Sequence, residues 1–170
     1  MPSAAAVVRG LIEAHYDALY RYAYRLSGSA ADAEDLTQET FGKALVRAGQ
    51  LRDITKAKGW LFRILRNLYL HRVRDQKRHK TVSLDQAWDL PADCPPDVGH
   101  DFAVDPARLQ EVLNALDETF RTPLILFYFE DFSYKDIAEQ MDLPIGTVMS
   151  RLARAKGYLR TRLAPPTADD

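Results

Sequence analysis

Ser133-Tyr134-Lys135-Asp136-Ile137-Ala138-Glu139-Gln140-Met141-Asp142-Leu143-Pro144-Ile145-Gly146-Thr147-Val148-Met149-Ser150-Arg151 is the stretch whose reading decides the fold. Ser133 is an N-cap residue for a helix over about Tyr134 to Met141. Ile137, Ala138 and Met141 recur at helical spacing and face inward. Asp142-Leu143-Pro144 forms a tight turn in which Leu143 is the apolar plug, and a second helix begins near Ile145. Val148, Leu152, Ala155 and Leu159 make the inner face of that second helix. Ala138 fits because two helices crossing this closely leave room for a small side chain. The turn wants left-handed backbone, usually supplied by glycine; Asp142 is a substitute that tolerates it. The stretch therefore predicts a helix-turn-helix.

The outward face of the second helix carries Thr147, Ser150, Arg151 and Arg154. Its early turns have the chemistry to enter a major groove, where arginine pairs with guanine edges and Thr or Ser meets bases or phosphates. Lys156, Arg160 and Arg162 follow and are expected to hold phosphates or face solvent. An ordinary basic helical hairpin is the plainer alternative.

Working upstream, Asp105-Pro106 is an N-cap with proline in the first turn, followed by Leu109, Val112, Leu113 and Leu116 on one face. Thr122-Pro123 repeats the start signal before Leu124-Ile125-Leu126-Phe127-Tyr128-Phe129. Apolarity alone allows that run to be a buried strand; the cap and the helical neighbours favour helix. Residues 81–107 contain four prolines, spaced aspartates and little apolar periodicity. They read as a flexible acidic linker. The expected organisation is a domain over 5–80, a linker over 81–104 and a domain over 105–164.

In the first domain, a helix from about Ala4 to Leu26 has the stripe Val8, Leu11, Ile12, Tyr16, Leu19 and Ala23. Gly28 and Ser29 break it, and Ser29 or Asp32 caps a second helix carrying Leu36, Phe41, Ala44 and Leu45. A third helix starts after Thr55 and buries Trp60, Leu61, Ile64, Leu65 and Leu68, while Arg72 to Lys80 is too polar for core. The fold class is all-α: an N-terminal helical bundle and a C-terminal four-helix domain containing the helix-turn-helix.

The net charge of −1 hides segregation. Lys56 to Lys80 holds nine Lys/Arg against one acid, 81–107 holds six Asp and no base, and Pro144 to Leu163 holds five bases and no acid. Two basic helices around an acidic connector suggest two contacts with a polyanion, or two solvated faces. The basic stretch of the first domain also mixes in aromatics: Lys56-Ala57-Lys58-Gly59-Trp60-Leu61-Phe62-Arg63, with Asn67 beyond. Aromatics can stack on unpaired bases while cations track the backbone; Trp60 as plain core is the competing reading. Asp35, Gln38 and Glu39 share one side of a helix opposite Leu36. That side is either solvated or a docking face for a basic protein surface.

Other classes fit poorly. At 46% hydrophobic residues, the composition is that of a globular protein rather than a wholly disordered one. No run approaches the roughly 20 apolar residues of a membrane span. The opening Met1-Pro2-Ser3-Ala4-Ala5-Ala6 lacks signal-peptide features, so a cytoplasmic protein without membrane insertion is expected. His15, His71, His79 and His100 have no metal-ligand spacing, and Cys94 is the sole cysteine, placed among linker prolines. No metal, no cofactor and no enzymatic activity are expected.

These residues together resemble the sigma factors of bacterial RNA polymerase, sigma-70 family, of the small extracytoplasmic-function (ECF) type. Three stretches carry the resemblance: Asp35-Leu36-Thr37-Gln38-Glu39-Thr40-Phe41; Gly59-Trp60-Leu61-Phe62-Arg63-Ile64-Leu65-Arg66-Asn67; and Tyr134-Lys135-Asp136-Ile137-Ala138 through Pro144-Ile145-Gly146-Thr147-Val148-Met149-Ser150-Arg151. The resemblance implies that Asp35, Gln38, Glu39 and Phe41 dock on core RNA polymerase. It implies that the region from Gln50 to Asn67, with Lys56, Lys58, Trp60, Arg63 and Asn67, melts the minus-ten element and captures a flipped base. It further implies that Thr147, Ser150, Arg151, Arg154 and Lys156 read the minus-thirty-five duplex. Partners implied are core polymerase, promoter DNA as duplex and melted strand, and an anti-sigma factor. Two departures stand out: Met149 sits where relatives commonly carry Arg or Lys, and Lys135-Asp136 replaces an acidic pair. A stand-alone helix-turn-helix regulator with an N-terminal sensing domain is the alternative, but it leaves the basic helix and the Asp35/Gln38/Glu39 face without a role.

Overall fold

Ser3 accepts a hydrogen bond from the Ala6 backbone N–H at 3.2 Å, and from that cap helix α1 runs Ala4–Ser27. It stops where Gly28 takes φ 71° and donates its N–H to the Tyr24 carbonyl, a left-handed cap that glycine adopts without a Cβ clash. Ser29 then caps α2 (Ala30–Val46) by accepting from the Asp32 N–H. Short 3-10 turns at Ala48–Gln50 and Ile54–Lys56 lead into α3 (Ala57–His79). The computed structural model describes residues 1–79 and 105–163, with the side chains of 77–79 left aside; the expected linker lies outside the described residues. All regular structure among the described residues is helical.

Helices α1, α2 and α3 bury a shared core. Leu19, Tyr22, Ala23 and Leu26 meet Leu36, Ala44, Leu61, Phe62 and Leu65, and the Tyr22 ring stacks on Phe62 at 4.7 Å. Thr37 and Thr40 are buried in the same interface. Their hydroxyls donate to the carbonyls of Ala33 and Leu36 at 2.7 Å, so both threonines are satisfied within α2. Three apolar positions expected in the core lie at its rim instead: Ile12, Tyr16 and Leu45 are exposed. A three-helix bundle covers only one side of each helix, so the outer edge of a broad stripe stays in water.

The second body consists of α4 (Pro106–Ala115), α5 (Glu118–Tyr128), α6 (Tyr134–Met141) and α7 (Ile145–Leu163). Chain contacts divide the protein into two compact units, Met1–Asp85 and Gln86–Asp170. Asp105 caps α4 as its sequence suggests, its carboxylate accepting from the Ala107 N–H. Thr122-Pro123 does not start α5. Asp117 does, accepting from the Thr119 N–H at 2.9 Å, and Pro123 sits inside the helix. Proline there deprives the Thr119 carbonyl of its donor, but Thr122, Pro123, Leu124, Ile125 and Leu126 are all buried. Packing outweighs the local signal. Arg121 locks the α4–α5 corner by donating to the carbonyls of Leu116 and Asn114.

Candidate nucleic-acid interface

The helix-turn-helix is α6, its turn and α7. Ser133 and Asp136 close a reciprocal capping box at the start of α6: the Ser133 Oγ accepts from the Asp136 N–H, and the Asp136 carboxylate accepts from the Ser133 N–H. The Asp136 of the unusual Lys135-Asp136 pair therefore has a local structural role. Asp142 adopts φ 54° and ψ 51°, the left-handed turn conformation expected of it, and the Leu143 N–H reaches back to the Ala138 carbonyl at 3.0 Å. Ile137, Ala138, Val148, Leu152, Ala155 and Leu159 are buried as their spacing requires, whereas Met141 and Leu143 are half-buried.

This scaffold aims α7 outward over its first turns. Ser150 and Arg154 are exposed and Thr147 and Arg151 half-buried, a grouping at i, i+3, i+4 and i+7 that places all four on one face. Lys156 does not join them. It is only 7% exposed, on the inner side four residues after Leu152, so the assignment of a phosphate contact to Lys156 is corrected. A long aliphatic stem can cover apolar core, and that is the use its position supports. Further along, the Arg162 guanidinium lies over the Tyr158 ring at 5.2 Å.

On α3 the buried side is Ala57, Leu61, Phe62, Ile64, Leu65, Leu68 and Tyr69. The opposite side brings together exposed Arg63 and Asn67 with half-buried Trp60, and exposed Lys56 just ahead of the helix continues that line. Trp60 is thus neither fully core nor free in solvent. Lys58 is separated from this line. Its ammonium sits over the Phe62 ring at 5.6 Å, and its charge, after burial, helps hold His15 below the ordinary histidine range. The structure therefore does not group Lys58 with Asn67.

The turn before α3 contains features that sequence reasoning missed. Asp53 accepts from the Thr55 hydroxyl at 2.6 Å and from its backbone N–H at 3.0 Å. Those bonds, the hydroxyl first, draw the Asp53 carboxyl below its usual range, with Lys56 adding to the effect. Ile54 is 61% exposed beside Lys56, and Val46 at the end of α2 is 86% exposed. For Ile54 the signal was a lone apolar residue between Asp53 and Thr55, whereas Val46 follows Ala44 and Leu45 and carries no such mark.

Asp35, Gln38 and Glu39 are all exposed on α2. Gly42 continues their side, and a Cβ placed there would meet nothing within 4 Å, so no neighbour in this chain requires glycine. Glu39 pairs with Arg72 of α3 at 3.0 Å, a surface contact worth about 0–1 kcal/mol. Phe41 is a different case. It is buried, with its ring stacked on Tyr16 at 6.3 Å, so it supports the α1–α2 interface rather than presenting itself to a partner.

Two helical units, one carrying a helix-turn-helix with a basic outward face and the other a second basic helix with an acidic flank, define a DNA-binding protein of transcription. Residues 11–79 match the family description sigma-70 region 2, and residues 107–159 match sigma-70, region 4. The chain is 39% identical over 162 residues to the ECF RNA polymerase sigma factor SigE of Mycolicibacterium smegmatis, covering 94% of this chain but 62% of that protein. It is 34% identical to the ECF sigma factor SigL of Mycobacterium tuberculosis, covering 94% of this chain and 90% of that protein. Among solved structures, the sigma factor RpoE, crystallised with the anti-sigma factor NepR from Bartonella quintana, superposes with a TM-score of 0.75 at 30% identity. That match covers 93% of this chain and 97% of RpoE. CnrH in complex with the cytosolic domain of CnrY shares the fold, with a TM-score of 0.61 at 23% identity and 94% of each chain covered. The chain belongs to the ECF sigma factors of RNA polymerase, within the sigma-70 family.

Proposed function

We propose that this chain directs core RNA polymerase to promoters, with the polymerase supplying the catalysis. The exposed Asp35, Gln38 and Glu39 side of α2 docks on the polymerase. The Lys56, Trp60, Arg63 and Asn67 line captures the minus-ten strand as it melts. Thr147, Ser150, Arg151 and Arg154 read the minus-thirty-five duplex. The carrying observation is that each unit has an exposed basic face while an exposed acidic and amide face remains on α2.

Each polar face is small, so its contact alone is weak, and the two add at high effective concentration only when a third body holds them at one spacing. Two weak faces that need a third body to act together fit an initiation factor better than a stand-alone regulator. An anti-sigma partner is proposed from the NepR complex of RpoE. Among the described residues no helix is long and apolar enough to cross a membrane, and we place the protein with polymerase in the cytoplasm.

In vitro transcription with and without core enzyme tests this. Specific, melted promoter complexes should form only with core present. Tight operator binding by the isolated chain, unchanged by Asp35→Arg with Gln38→Arg, would replace the proposal with the regulator reading.

A further inference from the structure

The outward face of α7 has a second edge that the polar reading does not use. Ile145 and Met149 stand one turn apart on it, 46% and 49% exposed. Val148 and Leu152, of similar character, are buried, so exposure of the pair follows from where the helix points rather than from poor packing. Helical projection puts small residues, Gly146 and Ala153, between this pair and the Ser150–Arg154 ridge. A Cβ at Gly146 would meet nothing within 4 Å. Glycine weakens a helix relative to alanine, and no contact within the chain calls for it here. The face is thus divided lengthwise: Thr147, Ser150, Arg151 and Arg154 on one half, and apolar or very small side chains on the other.

The absence of any acid from Pro144 to Leu163 marks the occupant as anionic, and the apolar half limits it further. Major-groove edges are polar apart from one group, the C5-methyl of thymine. We infer that Ile145 and Met149 form a thymine-reading edge, so that this protein specifies T at one or two base pairs flanking those read by Arg151 and Arg154. Gly146 leaves room for the groove edge to approach the helix between the two halves. The inference rests on α7 being the major-groove helix.

The test uses full-length protein reconstituted with core RNA polymerase. Upstream duplexes are selected from a randomised pool, and each selected thymine is then replaced by deoxyuridine, which lacks only the methyl. At one or two positions the replacement should weaken binding about fourfold, the size expected for burying one methyl. That loss should vanish in Met149→Ala or Ile145→Ala, whose exposed positions leave the fold undisturbed. Selection without any thymine preference, uniformly neutral uracil replacement, or a uracil effect that persists unchanged in both variants would each overturn the edge. Arg154→Ala separates the two levels. If it broadens the selected sequence while uracil is neutral, the groove reading stands and the thymine edge is wrong. If both are neutral, α7 is not the groove helix and both fall.

Discussion

Helices α3 and α7 are alike in sequence, long and dense in arginine and lysine, yet the fold uses them differently. Helix α3 is buried along one side only, so its exposed line runs through Arg63 and Asn67 and is continued by Lys56 just ahead of the helix. Helix α7 is buried on all sides over residues 155–159, which separate the open face of its first turns from exposed Arg160, Thr161 and Arg162 at its end. A long one-sided face suits tracking a strand, with Trp60 available for stacking. A short face at the front of a locked helix suits reaching the edges of a few base pairs. Positive charge marked both helices; packing decided how much of each is available.

The strongest way to break this comparison is to remove what holds the two faces at a common spacing. Asp35→Arg with Gln38→Arg should reduce promoter-dependent transcription on the order of a hundredfold, because like charges brought together at a desolvated interface cost several kcal/mol. Circular dichroism should be unchanged. This pair is preferable to one including Glu39, whose substitution would also break the ion pair with Arg72.

Within α7, Arg154 and Lys156 should separate cleanly. Arg154→Ala should cost about 1–3 kcal/mol in upstream duplex binding and relax specificity at one base pair. Its thermal stability should change little, since the side chain is exposed. Lys156→Ala should do the reverse, lowering stability by about 1–2 kcal/mol as a buried stem is lost. The slope of binding against salt should stay as in the parent. Equal salt slopes but no stability loss for Lys156→Ala would show that its buried stem contributes nothing.

On α3, Asn67→Ala should impair promoter opening about five- to tenfold, the scale of one lost hydrogen bond, while leaving initial docking intact. A pre-melted template should recover part of the loss. Permanganate footprints showing normal melting would remove Asn67 from the role. The smallest effect concerns His15, whose pKa is lowered from 6.5 by burial and then by Lys58. Because the folded form holds its proton less tightly than the unfolded chain, this contribution to stability is complete above pH 6.5 and declines as pH falls through the folded pKa. NMR titration should place His15 below its ordinary value, and Lys58→Ala should move it part of the way back.

Among the described residues, the number and order of α-helices, the caps at Ser29, Asp105 and Ser133, and the two basic faces were legible in the amino-acid sequence. Ser29, Asp105, Ser133 and the left-handed Asp142 act through bonds to residues two to five positions away, so a local pattern contains the information. Helix α5 shows the limit of that legibility. Thr122-Pro123 carries a local start signal as good as Asp105-Pro106, but five successive buried residues carry the helix through it. The same limit applies to side chains. Phe41, Lys58 and Lys156 belong by type and spacing with the binding faces, yet each lies on a helix flank where a neighbouring element, or its absence, determines exposure. Periodicity gives the angle of a residue around its own helix and says nothing of the neighbour at that angle. Which angles are covered is a property of how the helices pack, and only the tertiary structure decided it.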